Sequence, residues 1–445
     1  MSAWRAWGGA CVFGVALLSG VGAWRSQAFA FDRVVALATP PRPPSRGVTQ
    51  GVRLARFKGV PARSVWCLPG GPRALRATVA LGRRKVDGRC RALRVIGHTA
   101  AGRAATLCAM TGGALWARPA GASRGVAMRV LGPHGAFRRV ALAVDGRRLL
   151  VSAQVRARAT QAHFWIRISG VRRIRMVVTE DVRTRTGAGG VRDRPMLSAF
   201  YGYGIGGPMP AAAVDPARHD ADGLWLDGAR SMSWLPLRNP PRPWSRAYGS
   251  AVRGFGLCQR DRATRDYGVH AAREQDAPDV WVRWAGRGGP VIVRERPSAG
   301  SGRPNIGAVF MPGGVHVTGH GWAGHYRLLW GRSPAHPESV AAVVSSLIGG
   351  NADTGARKYV IDYAGGPLKG RFPIGAVTGG VRVRPDTFVT QDTVGFNPYT
   401  GGYRQVVQVM PVPGRTVQVR AWLKLHGRGV SEIWRYVLFA PRVAH

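Results

Sequence analysis

Apolar residues in this chain recur at every second position, in short runs. Leu75, Ala77, Val79 and Leu81 form one such run, and Phe164, Ile166 and Ile168 form another. Residues two apart share one face of a strand, so this period predicts half-buried strands. The run 149–155 reads the same way. Glycine (62) and proline (31) interrupt the runs at turn spacing, which suits a turn-rich all-β protein and not a helical bundle. No internal apolar run approaches the ~20 residues of a membrane-spanning helix, which excludes a polytopic helical membrane protein. With 45% hydrophobic residues and 15 Trp, 13 Phe and 10 Tyr, the chain can build a sizeable core, and global disorder is excluded.

The 445 residues divide by composition. Residues 1–30 read as a secretory signal: Arg5 precedes a short apolar stretch, and Ala28-Phe29-Ala30 fits a cleavage site. Residues 31–63 are polar and Pro-rich and read as an irregular leader, followed by a large many-stranded sandwich over 64–332. Two prolines in 333–337 mark a linker. Over 338–445, strand-like runs at 340–348, 358–363, 381–383, 403–410, 416–425 and 432–439 suggest an immunoglobulin-like sandwich. Export leaves four cysteines, Cys67, Cys90, Cys108 and Cys258. Their pairing is open between three connectivities and free thiols; Cys90 and Cys108, closest in sequence, could staple neighbouring strands.

The formal charge is +43, from 65 Lys and Arg against 22 Asp and Glu. All but Lys58, Lys85, Lys358, Lys369 and Lys424 of these cations are Arg, and they are scattered, a pattern that fits GC-rich coding bias. No zinc-finger spacing, RNA-binding aromatic signature or basic zipper accompanies them, so nucleic acid is not the expected partner. An anionically substituted glycan is a better electrostatic match. No Gly-x-Ser-x-Gly elbow is present, and Gly204-Ile205-Gly206-Gly207 lacks the Lys-Ser/Thr ending of a phosphate loop. His316, His320 and His325 cluster, but the glycines among them argue against a metal-binding helix. No metal or cofactor is expected.

A series of runs carries a specific resemblance. In order they are Pro195-Met196-Leu197-Ser198-Ala199-Phe200-Tyr201-Gly202-Tyr203, His219-Asp220-Ala221-Asp222-Gly223-Leu224 and Trp234-Leu235-Pro236-Leu237-Arg238-Asn239-Pro240. Arg253-Gly254-Phe255-Gly256-Leu257-Cys258-Gln259-Arg260, Pro278-Asp279-Val280-Trp281-Val282 and Asn305-Ile306-Gly307-Ala308-Val309-Phe310-Met311-Pro312 follow. Phe396-Asn397-Pro398-Tyr399-Thr400-Gly401-Gly402-Tyr403-Arg404 and Glu432-Ile433-Trp434-Arg435-Tyr436 complete the set. Together they resemble the periplasmic glucan biosynthesis proteins of the G/D family, from about Leu149 to Pro441. The resemblance implies a large galactose-mutarotase-like β-sandwich followed by an immunoglobulin-like one. It also implies a periplasmic location, work on osmoregulated glucans with β-1,2-linked backbones, and relatives that cleave such glucans with inversion.

Glycosidic cleavage needs a protonated carboxyl group as acid and an ionised one as base, ~6.5–9.5 Å apart in inverting enzymes. The resemblance puts the base at Asp220, beside His219; Asp220 and Asp222 could equally shape a turn. It puts the acid directly before Asn305, where this chain has Pro304, which has no proton to donate. No Asp or Glu occurs from Arg296 to Pro337; Glu295 is the nearest upstream carboxylate. Tyr201, Tyr203, Trp225, Trp234, Trp244, Phe255 and Trp281 could stack on glucose or fill the core. Asn239, Gln259, Arg260 and Arg262 could bond its hydroxyls. The expected substrate-binding set is Tyr201, His219, Asp222, Trp234, Asn239, Gln259, Arg260 and Glu295. Three readings stay open: a glucan-binding protein without hydrolysis, an inverting hydrolase or transglycosylase whose acid comes from elsewhere (Glu295, Asp279, or a substrate hydroxyl and water relay), and a structural partner of a membrane glucan synthase.

Overall fold

The computed structural model describes the strands between Val52 and Phe439, the turns at 228–231, 253, 260, 285–288, 311–313 and 337–341, and all of 355–439. The signal segment 1–30 and most of the 333–337 linker lie outside the described residues. The first strands are β1 (Val52–Arg56), β2 (Ser64–Pro69), β3 (Arg76–Ala80), β4 (Arg83–Asp87), β5 (Cys90–His98), β6 (Ala104–Thr111) and β7 (Ala114–Ala117). Next come β8 (Val126–Val130), β9 (Phe137–Asp145), β10 (Arg148–Ala157), β11 (Thr160–Ser169), β12 (Met176–Thr186), β13 (Leu197–Tyr201), β14 (Gly223–Asp227) and β15 (Met232–Pro236). Then follow β16 (Trp244–Val252), β17 (Gly254–Cys258), β18 (Asp279–Trp284), β19 (Gly289–Glu295), β20 (Ile306–Phe310) and β21 (Ala323–Gly331). The last are β22 (Ala342–Gly350), β23 (Arg357–Ala364), β24 (Val377–Arg384), β25 (Val389–Asn397), β26 (Gly402–Val409), β27 (Thr416–Leu425), β28 (Arg428–Gly429) and β29 (Ile433–Phe439). The described secondary structure is thus all β apart from one turn of 3₁₀ helix at Gly366–Leu368.

Pairing sorts the first twenty-one strands into two runs, joined where Cys90 of β5 pairs with Phe137 of β9. One reads β1-β2-β5-β6-β7-β8-β13-β20-β19-β16. The other reads β3-β4-β9-β10-β11-β12-β21-β18-β17-β14-β15. The Phe310 ring, from β20 of the first run, lies 5.8 Å from Phe255 and 6.1 Å from Trp284 of the second, so the two sheets face each other. Strand β17 is buried from end to end. Its Gly256 leaves room for a neighbour: an added Cβ would come within 2.8 Å of the Val280 carbonyl oxygen and 3.0 Å of the Trp281 ring.

The second run does not stop at β15. Strand β29 pairs with it in parallel, Ser233 opposite Ile433 and Trp234 opposite Trp434, and β27 and β24 continue the sheet. The C-terminal strands therefore extend a sheet of the first sandwich. A separate sheet of β22-β23-β26-β25 covers them. Tyr359 of this sheet sits 5.0 Å from the Trp434 ring and 5.6 Å from Tyr436. Alternating burial along β26 and β27 matches the alternation in their sequences.

Two expectations change. Residues 31–63, read as an irregular leader, contribute β1, which pairs with β2. The Val-Arg-Leu-Ala-Arg alternation there is overshadowed by the preceding prolines. A Cys90–Cys108 staple does not fit the register. Cys108 lies opposite Val95. Cys90 is five residues further along β5, about 16 Å at strand rise, far beyond the ~7 Å that a disulfide spans between Cα atoms. Cys258 is buried.

Candidate functional site

Of the residues singled out in the sequence, Asp220, Pro304, His219, Asp222, Asn239 and Gln259 lie outside the described residues. Tyr201 ends β13, and its side chain is not among those described. The strands that flank Asp220 and Pro304 are described. In the sequence, residues 219–222 directly precede β14, and residues 304–305 directly precede β20. Ile306, the first residue of β20, is opposite Glu295, and Glu295 is opposite Trp244 on its other side.

Residues of β14, β15, β16, β19 and β29 border one hollow. It is lined by Leu224, Leu235, Pro236, Trp244, Tyr248, Val293, Glu295, Arg435 and Val437. Leu224 is the second residue of β14, and Glu295 is the last of β19. Glu295 is only 4% exposed, one of few buried acids in an acid-poor chain. Arg435 enters from β29, and its Nε donates to the Ser233 hydroxyl at 2.9 Å. Burial, then the neighbouring Arg420, pull the Arg435 guanidinium down to about 10.

Arg260 is used differently from the expected hydroxyl recognition. Its Nη1 and Nη2 donate to the two Glu432 carboxylate oxygens at 2.5 and 2.8 Å, and Nη1 also donates to the Val343 carbonyl at 2.6 Å. The Val343 N–H donates to Glu432 at 2.9 Å. The guanidinium lies 3.8 Å from the centroid of the Trp234 ring. Burial works against the Arg260 charge, but the Glu432 carboxylate outweighs it and raises the pKa above the usual arginine range. The result is a tie between the end of β17, the start of β22 and the start of β29. Trp234, under Arg260, is 3% exposed, and Trp225 and Trp281 pack edge to face at 4.1 Å. All three belong to the same core cluster as Tyr359, Trp434 and Val419. They fill the junction between the C-terminal strands and the larger sandwich, so none is an open sugar platform. Asp279, a second candidate acid, is also buried, at 2% exposure.

The Phe396–Arg404 motif likewise builds structure. Asn397 Oδ1 accepts from the Tyr399 N–H, and Asn397 Nδ2 donates to Asp362 at 2.9 Å. Arg404 grips both Asp362 oxygens at 2.8 and 2.9 Å. Gly401 takes φ +66°, a left-handed turn position. Gly402 passes so close to the Tyr363 carbonyl that a Cβ would lie 2.0 Å from it. The Tyr403 hydroxyl accepts from the Phe372 N–H at 2.7 Å. Sequence reasoning missed Glu432 and Asp362 as charge partners. The available signal was their rarity: a carboxylate among so many arginines is a candidate for a dedicated ion pair.

Residues 122–438, well over half of the chain, match the family described as "Periplasmic glucan biosynthesis protein, MdoG". The chain belongs to this family. Glucans biosynthesis protein D 2 of Ralstonia nicotianae is 31% identical over 262 residues, covering 54% of this chain and 46% of that protein. Glucans biosynthesis protein G of Shewanella baltica is 32% identical over 254 residues, covering 54% and 45%. Its namesake from Cereibacter sphaeroides is 35% identical over 234 residues, covering 50% and 43%. The chain thus spans about half the length of the curated relatives it matches. The matched region starts after β7, so it takes in β8 to β28 and nearly all of β29 and leaves out β1 to β7.

Proposed function

We propose that this protein works in the periplasm in glucan biosynthesis and binds a β-1,2-linked glucan backbone, with hydrolysis weak or lost. Family membership supports the pathway and the compartment. One geometric fact bears on where that backbone would lie: Leu224 of β14 and Glu295, the latter opposite Ile306, line a common hollow, which is itself too small to hold a sugar ring. Asp220 and Pro304 stand three and two residues before Gly223 of β14 and Ile306 of β20 in the sequence, and this adjacency supports placing both near that hollow. Proline at 304 removes the proton donor that inversion needs there.

Glu295 supports a second reading. It is a buried carboxyl group that lines that hollow from the strand beside β20, and glycosidic cleavage needs such a group as acid. Incubation with linear β-1,2-glucan and analysis of products separates the two. Calorimetric binding of β-1,2-oligomers with no released oligosaccharide fits the binding reading. Steady release of short oligosaccharides, abolished by Asp220→Asn and by Glu295→Gln, overturns it in favour of an enzyme. No heat at millimolar oligomer sinks both.

A further inference from the structure

The face of β24, β27 and β29 turned away from the Trp434 core carries a row of cations. Arg382 is opposite Arg420, and Arg420 is opposite Arg435, so three arginines stand side by side on three neighbouring strands. Alternation sends Val381, Ala421 and Trp434, the adjacent row, to the other face. Two residues from this row, Gly380 is opposite Trp422. The indole lies across the glycine; a Cβ at Gly380 would come within 2.4 Å of it. Lys424 Nζ is 5.9 Å from the indole centroid. Trp422, Arg420 and Lys424 of β27 thus share one face of the sheet with Arg382 of β24.

Like charges set directly opposite each other in a sheet repel. Here the repulsion is unrelieved: among the described residues, no carboxylate pairs with Arg382, Arg420 or Arg435, and Arg435 bonds a hydroxyl. Burial, then Arg384, Arg382 and Arg246, lower the pKa of Arg420 below the usual arginine range. A stack of guanidinium groups of this kind matches an oxyanion with several acceptor oxygens. An aromatic face next to it matches the C–H face of a sugar.

We propose that this face is a binding site for a saccharide bearing an acidic substituent, with Arg382, Arg420 and Arg435 on the anionic group and Trp422 under the sugar ring. It rests on the glucan reading for the identity of the sugar. The anionic group is a carboxylate, phosphate or sulfate ester; a free inorganic anion would use the arginines without the indole.

The test compares a linear β-1,2-gluco-oligosaccharide, the same oligosaccharide carboxymethylated, and inorganic phosphate, by calorimetry at fixed physiological ionic strength. The carboxymethylated form should bind about tenfold tighter than the neutral one. Arg382→Gln with Arg420→Gln should remove that advantage. Lys358→Gln with Arg415→Gln removes equal charge from exposed positions and should keep it. Trp422→Ala should weaken the carboxymethylated oligosaccharide and leave phosphate unchanged. Because the row is self-repelling, the double Arg variant should melt no lower than the parent. Equal losses in the two double variants would mean bulk charge and overturn the site. A lower melting point in the Arg variant would assign the row a structural role instead. Failure of the neutral oligomer to bind at all sinks the groove reading, whereas equal affinity for both oligomers sinks this one.

Discussion

Replacing Glu432 by Gln tests the junction that makes the C-terminal strands part of the larger sandwich. Glu432 is fully buried, and Arg260 is 13% exposed, so solvent screens the pair little. Removing one partner of a buried ion pair costs about 3–5 kcal/mol, because the other charge stays buried without compensation. The upper end applies here, since Glu432 also accepts the Val343 N–H. The pair is best judged against Arg260→Met with Glu432→Leu. That double variant strands no charge but orphans the Val343 N–H and carbonyl, at about 1–3 kcal/mol each. It should therefore be less damaging than, or similar to, Glu432→Gln alone. The double-mutant cycle should give a coupling of about 2 kcal/mol or more. Urea unfolding followed by tryptophan emission reports directly, because Trp225, Trp234, Trp281 and Trp434 share one core cluster. The parent should show one transition, and Glu432→Gln should shift its midpoint without splitting it. A loss under about 1 kcal/mol would place the pair among solvated surface bridges and refute the reasoning.

Three further outcomes follow from named contacts. Gly402→Ala should destabilise by about 2 kcal/mol or more, because the new Cβ meets the Tyr363 carbonyl, a backbone atom that cannot rotate away; unchanged chemical denaturation would contradict this. Burial, foremost, raises the phenol pKa values of Tyr359 and Tyr363 above 10, so both stay protonated where unfolded tyrosine ionises. Their contribution is intact below pH 10 and declines as pH climbs above it, by about 2.7 kcal/mol per unit for two phenols. Arg435, lowered to about 10, opposes this trend, since its repulsion eases over the same alkaline range. Ultraviolet titration should show at least two of the 10 tyrosines ionising only on unfolding; all ten titrating together in the folded protein would refute the burial argument. If the groove is otherwise intact, Pro304→Asp should raise release of β-1,2-oligosaccharides above the parent, and no gain in turnover would count against Pro304 as the missing acid.

The sequence by itself determined the strands. Period-two alternation marks 416–425 with the same bounds as β27, and the runs at 358–363 and 403–410 fall on β23 and β26. Side-chain alternation is a local property, readable wherever one face of a strand meets a core. The sequence also located the family motifs, since their order along the chain needs no coordinates. What those motifs do was decided by tertiary structure. Arg260 and Glu432 are 172 residues apart, and nothing local distinguishes a guanidinium that binds sugar from one that meets a carboxylate across a junction. Trp234 reads equally as platform or core until β29 lies beside it. The arginine row is invisible in sequence for the same reason: Arg382, Arg420 and Arg435 become neighbours only through strand register, and their scatter along the chain resembles coding bias. Long-range pairing converts isolated charges into a field, and only the fold sets which charges share it.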